Sequence, residues 1–303
     1  MNVGATTAQE RLFARKICER FQLERMRFTN SGTEANLHAL AAARKFTGKR
    51  KVVTFSGGYH GAVLTFSGGQ PASNNVDIDD WIVVKYNDLD AAKEAIRSPG
   101  AGVLFILDEV MTSRISEGGL GALRGLKPDL KTFGKYLGGG LAFGAFGGRA
   151  DVMAAFDPRL SGYISHSGTF NNNTLVTHAG HVGLTTVFTP EVARRFTEVG
   201  DSFREKLNEV TKGTRIYFTG IGTVATAHFL AKGPRHIECA DDVEEIPELK
   251  TLFWFEMLEA GFWVTLRGFI ALILETPPSE LERFVQAVQS FISRHQNLVA
   301  LDA

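Results

Sequence analysis

Apolar positions recur along this chain with two periods, and the two alternate for roughly its first two thirds. Leu12, Phe13, Ile17, Cys18 and Phe21 lie on one stripe of a helix spanning residues 7 to 23. Met26 to Thr29 is a short extended piece, and an Ala/Leu-rich helix follows to Phe46. Lys51 to Phe55 and Trp81 to Lys85 read as strands, with a helix from Asp88 to Ile96 after the second. Gly102 to Leu107 is uniformly apolar and ends in Asp108-Glu109, the form of a central parallel strand carrying acidic groups at its C-terminal edge. Leu130 to Lys135 repeats that plan, Ala142 to Gly148 is a glycine-rich strand, and helices are expected over 173–187 and 190–210.

Strands alternating with helices predict an α/β, doubly wound and mainly parallel sheet for residues 1–211. Beyond residue 212 the texture changes. Ile216 to Gly222, Val224 to Leu230, Phe262 to Thr265 and Phe269 to Glu275 read as strands, with helices over 246–260 and 278–295. That pattern suits a small α+β C-terminal domain, 212–303.

Composition removes several function classes. Lysine plus arginine (33) equals aspartate plus glutamate (33), so no net field draws the chain to nucleic acid or anionic lipid. Cys18 and Cys239 stand far apart and make no disulfide framework. The start of the chain has no basic segment followed by an apolar one, and apolar runs such as Phe269 to Leu274 are too short to span a bilayer. The expectation is a cytoplasmic protein with no membrane and no nucleic-acid partner. Glycine is clustered beside strands, at Gly57-Gly58, Gly118-Gly119, Gly138 to Gly140 and Gly147-Gly148, as it is where backbone approaches a ligand or turns tightly.

Several positions carry candidate chemistry, each with a plainer alternative. Ser31-Gly32-Thr33 at a helix start aims N–H groups and hydroxyls at one point, which suits a phosphate or merely an N-cap. Asp108 needs a cationic partner, either a protonated pyridine nitrogen or an ion pair such as Arg114. Lys135, between a strand and Gly138-Gly139-Gly140, suits imine formation by a desolvated amine. A P-loop is excluded because Tyr136 follows the lysine where serine or threonine belongs. Tyr59-His60 after Gly57-Gly58 offers a ring to stack on a flat cofactor, or simple packing. Thr169 precedes three asparagines and a helix, as a second phosphate contact or part of a cap. Arg267, in a turn between strands, either faces solvent or grips a carboxylate. His178 and His181 share a helix face without an evident third ligand, so no metal site is expected.

The order of these motifs is more telling than any one of them. Asn30-Ser-Gly-Thr-Glu-Ala-Asn36, Gly58-Tyr-His-Gly61, Asp108-Glu-Val-Met-Thr112, Gly134-Lys-Tyr-Leu-Gly-Gly-Gly140 and Ser167-Gly-Thr-Phe170 together resemble the class III aminotransferases of pyridoxal-phosphate fold type I. Within them the likeness is to the glutamate-1-semialdehyde aminomutase branch and its β-amino-acid aminotransferase relatives, over residues 8 to 293.

The resemblance implies pyridoxal 5′-phosphate as cofactor, Lys135 as Schiff-base lysine and proton shuttle, and Asp108 on the pyridine nitrogen. It implies Val110 and Tyr59 on the two ring faces with His60 alongside, and the phosphate on Ser31, Gly32 and Thr33. Thr169 would reach the phosphate of a neighbouring subunit, hence a homodimer with shared sites. Phe143 to Arg149 and Arg267-Gly268-Phe269 resemble the β-phenylalanine type, which makes Arg267 the substrate-carboxylate contact. The reaction implied is ping-pong transfer of an amino group from a β-amino acid or amine to a keto acid. The alternatives are a 2,1-aminomutase of the glutamate-1-semialdehyde type and a catalytically silent binding module. Two departures stand out: relatives carry a longer segment before the position of Thr7, and a strand-loop-helix unit is missing between Ile96 and Val103. Its loss should leave a gap in the sheet beside the Asp108 strand.

Overall fold

In a computed structural model, described for residues 5–97, 102–233, 237, 239 and 242–301, the chain forms two units that divide between Ala193 and Arg194. The first carries β1 (Arg25–Thr29), β2 (Val52–Phe55), β3 (Phe66–Ser67), β4 (Gln70–Pro71), β5 (Trp81–Val84), β6 (Ile106–Asp108), β7 (Leu130–Gly134) and β8 (Gly144–Gly148). Its helices are α1 (Ala8–Phe21), α2 (Gly32–Thr47), α3 (Leu89–Ile96), α4 (Gly119–Leu123), α5 (Ala150–Met153) and α6 (Thr174–Val182). Helix α7 (Pro190–Val210) begins at the end of this unit and belongs mainly to the second.

Four strands form one sheet in the order β1-β8-β7-β6. β6 and β7 run parallel, whereas β8 is antiparallel to both of its neighbours. β7 is buried at every position, and its alternation explains how the layers form. Leu130 and Thr132 face α2, where Ala35, Ala39 and Ala42 pack on Leu130 and Phe146. The small side chains let the helix lie close to the sheet. Lys131 and Phe133 face α1: the Lys131 ammonium donates to the Phe21 carbonyl at 2.9 Å, and Phe133 sits 4.8 Å from the Phe21 ring. A strand covered on both sides needs apolar side chains throughout, and the buried lysine is tolerated because its charge finds a carbonyl. Truncating Phe133, which is fully buried among Phe13, Ile17 and Phe21, should cost about 3–5 kcal/mol of stability. Denaturant unfolding followed by circular dichroism checks this. A loss below about 1 kcal/mol would mean that this layer repacks around the cavity.

β2 and β5 pair in parallel with each other, in a sheet of their own. Among the described residues β6 pairs with β7 alone. Ser98 to Ala101, within the shortened stretch, lie outside the described residues. The strand expected over Gly102 to Leu107 is short. Only Ile106–Asp108 is strand, because Phe105 turns its N–H to the Asp129 carboxylate at 2.7 Å. The helix expected over 173–187 ends at Val182 and continues as one wider turn, Gly183–Val187.

The second unit sets α8 (Pro247–Glu259) and α9 (Pro278–Arg294), followed by the short α10 (Gln296–Val299), with an antiparallel sheet. The sheet comprises β9 (Ile216–Ile221), β10 (Val224–Phe229) and β11 (Phe269–Ala271), ordered β11-β10-β9. Phe253 joins the layers, 5.0 Å from the Phe229 ring and edge-on to Phe291 at 5.2 Å. Phe262 to Thr265, expected as a strand, is not one. The Trp254 indole donates to the Val264 carbonyl, and Thr265 closes a turn onto Phe269 around Gly268 (φ +84°).

Candidate active site

The end of β1 runs into α2 through Asn30 and Ser31. Ser31 is the N-cap: its Oγ accepts from the Glu34 N–H at 3.2 Å, while Glu34 Oε2 accepts from the Asn30 N–H at 2.9 Å. The simple cap is therefore real, yet it does not use up the turn. A Cβ on Gly32 would lie 2.8 Å from both Val110 methyls, so only glycine lets Val110 lie on the first turn of the helix. Thr33 packs its side chain onto Gly61, in the loop that carries Tyr59 and His60.

Asp108 ends β6 and lies where these pieces meet. One carboxylate oxygen takes the Asn36 amide at 2.9 Å and His60 Nδ1 at 2.8 Å, and the other takes the Val110 N–H at 2.9 Å. Burial alone would raise its pKa, but the hydrogen bonds from His60, Val110 and Asn36 outweigh it and hold the carboxyl below its usual range. His60 Nδ1, the Asn36 amide and the Val110 N–H thus meet on this carboxylate. Glu109, one residue on, points the opposite way and is fully buried. It accepts the Leu120 and Gly121 N–H groups at the start of α4 and the Thr112 hydroxyl. Adjacent acids at a strand end thus do separate work, one in the site and one in the scaffold.

Asn36 is the site residue that pattern reading did not single out. It is buried on α2, donates to both Asp108 and the His60 carbonyl, and accepts from the Thr132 hydroxyl at 2.7 Å. It lies one turn past Thr33 on the same helix, inside the quoted motif. The signal available was an amide at a position where the helix must face the sheet.

Lys135 follows β7. A Cβ on the preceding Gly134 would lie 3.4 Å from the Gly32 backbone and 3.2 Å from Val110, so the lysine leaves the sheet beside the α2 turn and beside Asp108. Its backbone is left-handed at φ +55°, a conformation that costs about 1–2 kcal/mol for a residue with a Cβ. The expectation was a desolvated amine. In the single chain Lys135 is instead exposed, and among the described residues its ammonium makes no hydrogen bond or ion pair. Backbone strain of this kind clusters at functional sites.

The chain has 44 per cent apolar residues and a buried framework, yet Tyr59 is 67% exposed. Thr169 is exposed in the loop that precedes α6. Arg267 belongs to the second unit, exposed, with its guanidinium 5.2 Å from the Phe269 ring centre. Among the described residues no group of three or more histidines, cysteines and acids could hold a metal ion, and no helix is long and apolar enough to cross a membrane.

The donor set fits a phosphorylated pyridine aldehyde: an ionised carboxylate for a ring nitrogen, a free amine for the aldehyde, and a helix start with a glycine for the phosphate. The class III aminotransferase family model matches residues 1–75 and 92–248. The chain is a class III aminotransferase. A β-phenylalanine transaminase of Variovorax paradoxus is 43% identical over 336 residues, covering 99% of this chain and 76% of that one. A glutamate-1-semialdehyde 2,1-aminomutase of an Anaeromyxobacter species is 35% identical over 276 residues, covering 75% and 64%. The crystal structure of a β-phenylalanine aminotransferase from Variovorax paradoxus superposes with a TM-score of 0.92 at 41% identity, covering 100% of this chain and 78% of that one. The fold is that of the type I pyridoxal-phosphate enzymes, and pyridoxal 5′-phosphate is the cofactor of the class III family. The matched span of 336 residues exceeds the 303 of this chain, so the relative carries residues inside that span which have no counterpart here.

Proposed function

We propose that this class III aminotransferase moves the amino group of a β-amino acid or amine to a keto acid through a Schiff base on Lys135, as a cytoplasmic homodimer. The observation that carries the reading is the exposed, unpartnered Lys135 on left-handed backbone, with its neighbour Gly134 packed against Gly32 and Val110. The Asp108 carboxylate, held ionised by His60, Asn36 and Val110, lies in the same cluster.

When bound, pyridoxal phosphate supplies an electron sink for the bond broken at the amine-bearing carbon. Lys135 would be the amine that holds the cofactor's aldehyde carbon and, once free, the base that moves the proton at the amine-bearing carbon. Asp108 keeps the ring nitrogen protonated, with His60 and Asn36 fixing the carboxylate. Ser31, Gly32 and Thr33 receive the phosphate at the helix start, where N–H groups and dipole favour an anion. Val110 lies against one ring face and Tyr59 covers the other. Thr169 adds a hydroxyl to the neighbouring subunit's phosphate. Exposed Phe170 and Leu175, on either side of three asparagines, are apolar surface of the kind that a subunit contact covers. Arg267 binds the substrate carboxylate, and the similarity to β-phenylalanine transaminases favours a β-amino acid over an α-amino acid as donor.

The similarity to aminomutases supports the second reading, in which the same groups act on a single substrate. The full chain, supplied with cofactor and racemic β-phenylalanine, separates the readings. A protein reduced with borohydride should carry the cofactor mass on the Lys135 peptide, and turnover should require an added keto acid. Turnover of glutamate-1-semialdehyde without any acceptor would replace the proposal by the mutase. A protein that takes up no cofactor would leave only a silent module.

A further inference from the structure

The segment that bears Thr169 has no helix or strand from Asp157 to Asn173 and is fastened by polar contacts to β1 and to the turn that leads into α2. Arg27, on β1, donates its Nε–H to His166 Nδ1 at 2.8 Å and an Nη to the His166 carbonyl at 3.5 Å. His38 of α2 packs edge-on against the His166 ring at 4.2 Å. Burial, with His38 and Arg27 alongside, pushes His166 down to about 4, so at neutral pH Nδ1 is free to accept from Arg27.

The second fastening is more specific. The Asn30 amide donates to Asn171 Oδ1 at 2.7 Å and to Glu34 Oε2 at 3.2 Å. Glu34 in turn donates its N–H to Ser31. The Asn171 side chain fills the space beneath Gly168, where a Cβ would collide with it, and the Asn171 N–H closes the turn onto the Gly168 carbonyl at 3.2 Å. Asn171 thus sits on the same turn as Gly168 and Thr169, with its side chain packed under that backbone. A continuous path runs from Ser31 through Glu34, Asn30 and Asn171 to the residue beside Thr169.

Granting the proposed roles, in which Ser31 to Thr33 hold a subunit's own cofactor phosphate and Thr169 reaches its neighbour's, that path joins two different sites. We infer that the Asn30–Asn171 hydrogen bond couples the two cofactor sites of the dimer, so that phosphate bound at one helix start fixes the loop presenting Thr169 to the other site. The coupling is positive. The first cofactor orders the loop, and the second binds a site whose ordering cost has already been met. Asn171 is a positioning residue in this scheme and touches no cofactor itself.

The test is a titration of pyridoxal phosphate into the full chain stripped of cofactor, followed by absorbance, with sedimentation to record the subunit state. The wild type should give a sigmoidal isotherm in which the second site binds about 5-fold or more tightly than the first. Asn171→Ala should give a hyperbolic and weaker isotherm. Asn171→Asp, which keeps an acceptor for the Asn30 amide, should restore the sigmoid. A wild-type dimer that fills both sites along a plain hyperbola overturns the coupling while leaving the proposed function standing. So does an Asn171→Ala isotherm as sigmoidal as the wild type. Should Asn171→Ala fail to fold, the wild-type curve alone decides. A chain that stays monomeric, or takes up no cofactor, overturns the reading beneath the inference and the inference with it.

Discussion

Replacing Lys135 by alanine should lower the amino-transfer rate by at least about 10³-fold while leaving cofactor bound. The loss is large because, in the proposed reaction, one amine serves as both covalent holder and proton carrier. Retention follows from the remaining donors, since Asp108, Gly32 and Thr33 are untouched by the change. Borohydride reduction of the variant should then fix no cofactor to the protein. The backbone makes a second, independent demand. At φ +55° any side chain is strained, so Lys135→Gly should be about 1 kcal/mol more stable than Lys135→Ala, although equally inactive. Such a pair separates catalytic loss from structural loss in one measurement of melting and one of rate. An alanine variant that turns over at the wild-type rate would remove Lys135 from the chemistry altogether.

Much of this site is written in contiguous letters. A helix start with Ser31, Gly32 and Thr33, an apolar strand ending in Asp108, and a lysine before three glycines are local features that periodicity and turn chemistry expose. What escaped reading is non-local. Asn36 earns its place only because α2, the His60 loop and β7 converge on it, and no single window of sequence contains all three. The exposure of Lys135 escaped too, because a strand-end lysine beside glycines reads as enclosed until the strained backbone turns it outward. Glu109 illustrates the opposite difficulty. Its neighbour belongs to the proposed site, and only the alternation of the strand sends the two carboxylates to opposite sides. The short β6 follows from its start: Phe105 gives its N–H to the Asp129 carboxylate while its carbonyl takes the Asp129 and Leu130 N–H groups, so the regular ladder begins only at Ile106.

Asp108→Asn should lower kcat by about 10²–10³-fold, the scale seen when one preorganised electrostatic partner is removed from a reacting group. The substitution keeps the shape but reverses a donor-acceptor relation. Its one oxygen can serve either the Asn36 amide and His60 or the Val110 N–H, so its nitrogen faces a donor on the other side; Asn36 is itself fixed by the His60 carbonyl and the Thr132 hydroxyl. Asn36 cannot turn over without abandoning both, so a stability loss of about 1–3 kcal/mol should accompany the rate loss. The pH dependence distinguishes the two effects. The folded pKa of Asp108 lies below its ordinary value, so its contribution to stability is complete above about pH 4 and is lost only as pH falls through the folded value. Across the neutral range the wild-type rate should therefore show no limb belonging to this carboxylate, and the variant should be depressed by the same factor throughout. A variant whose deficit disappears on raising or lowering pH within that range would place the titrating group elsewhere. One that kept the wild-type kcat while losing only stability would make Asp108 a packing residue and leave the ring nitrogen without its counterion.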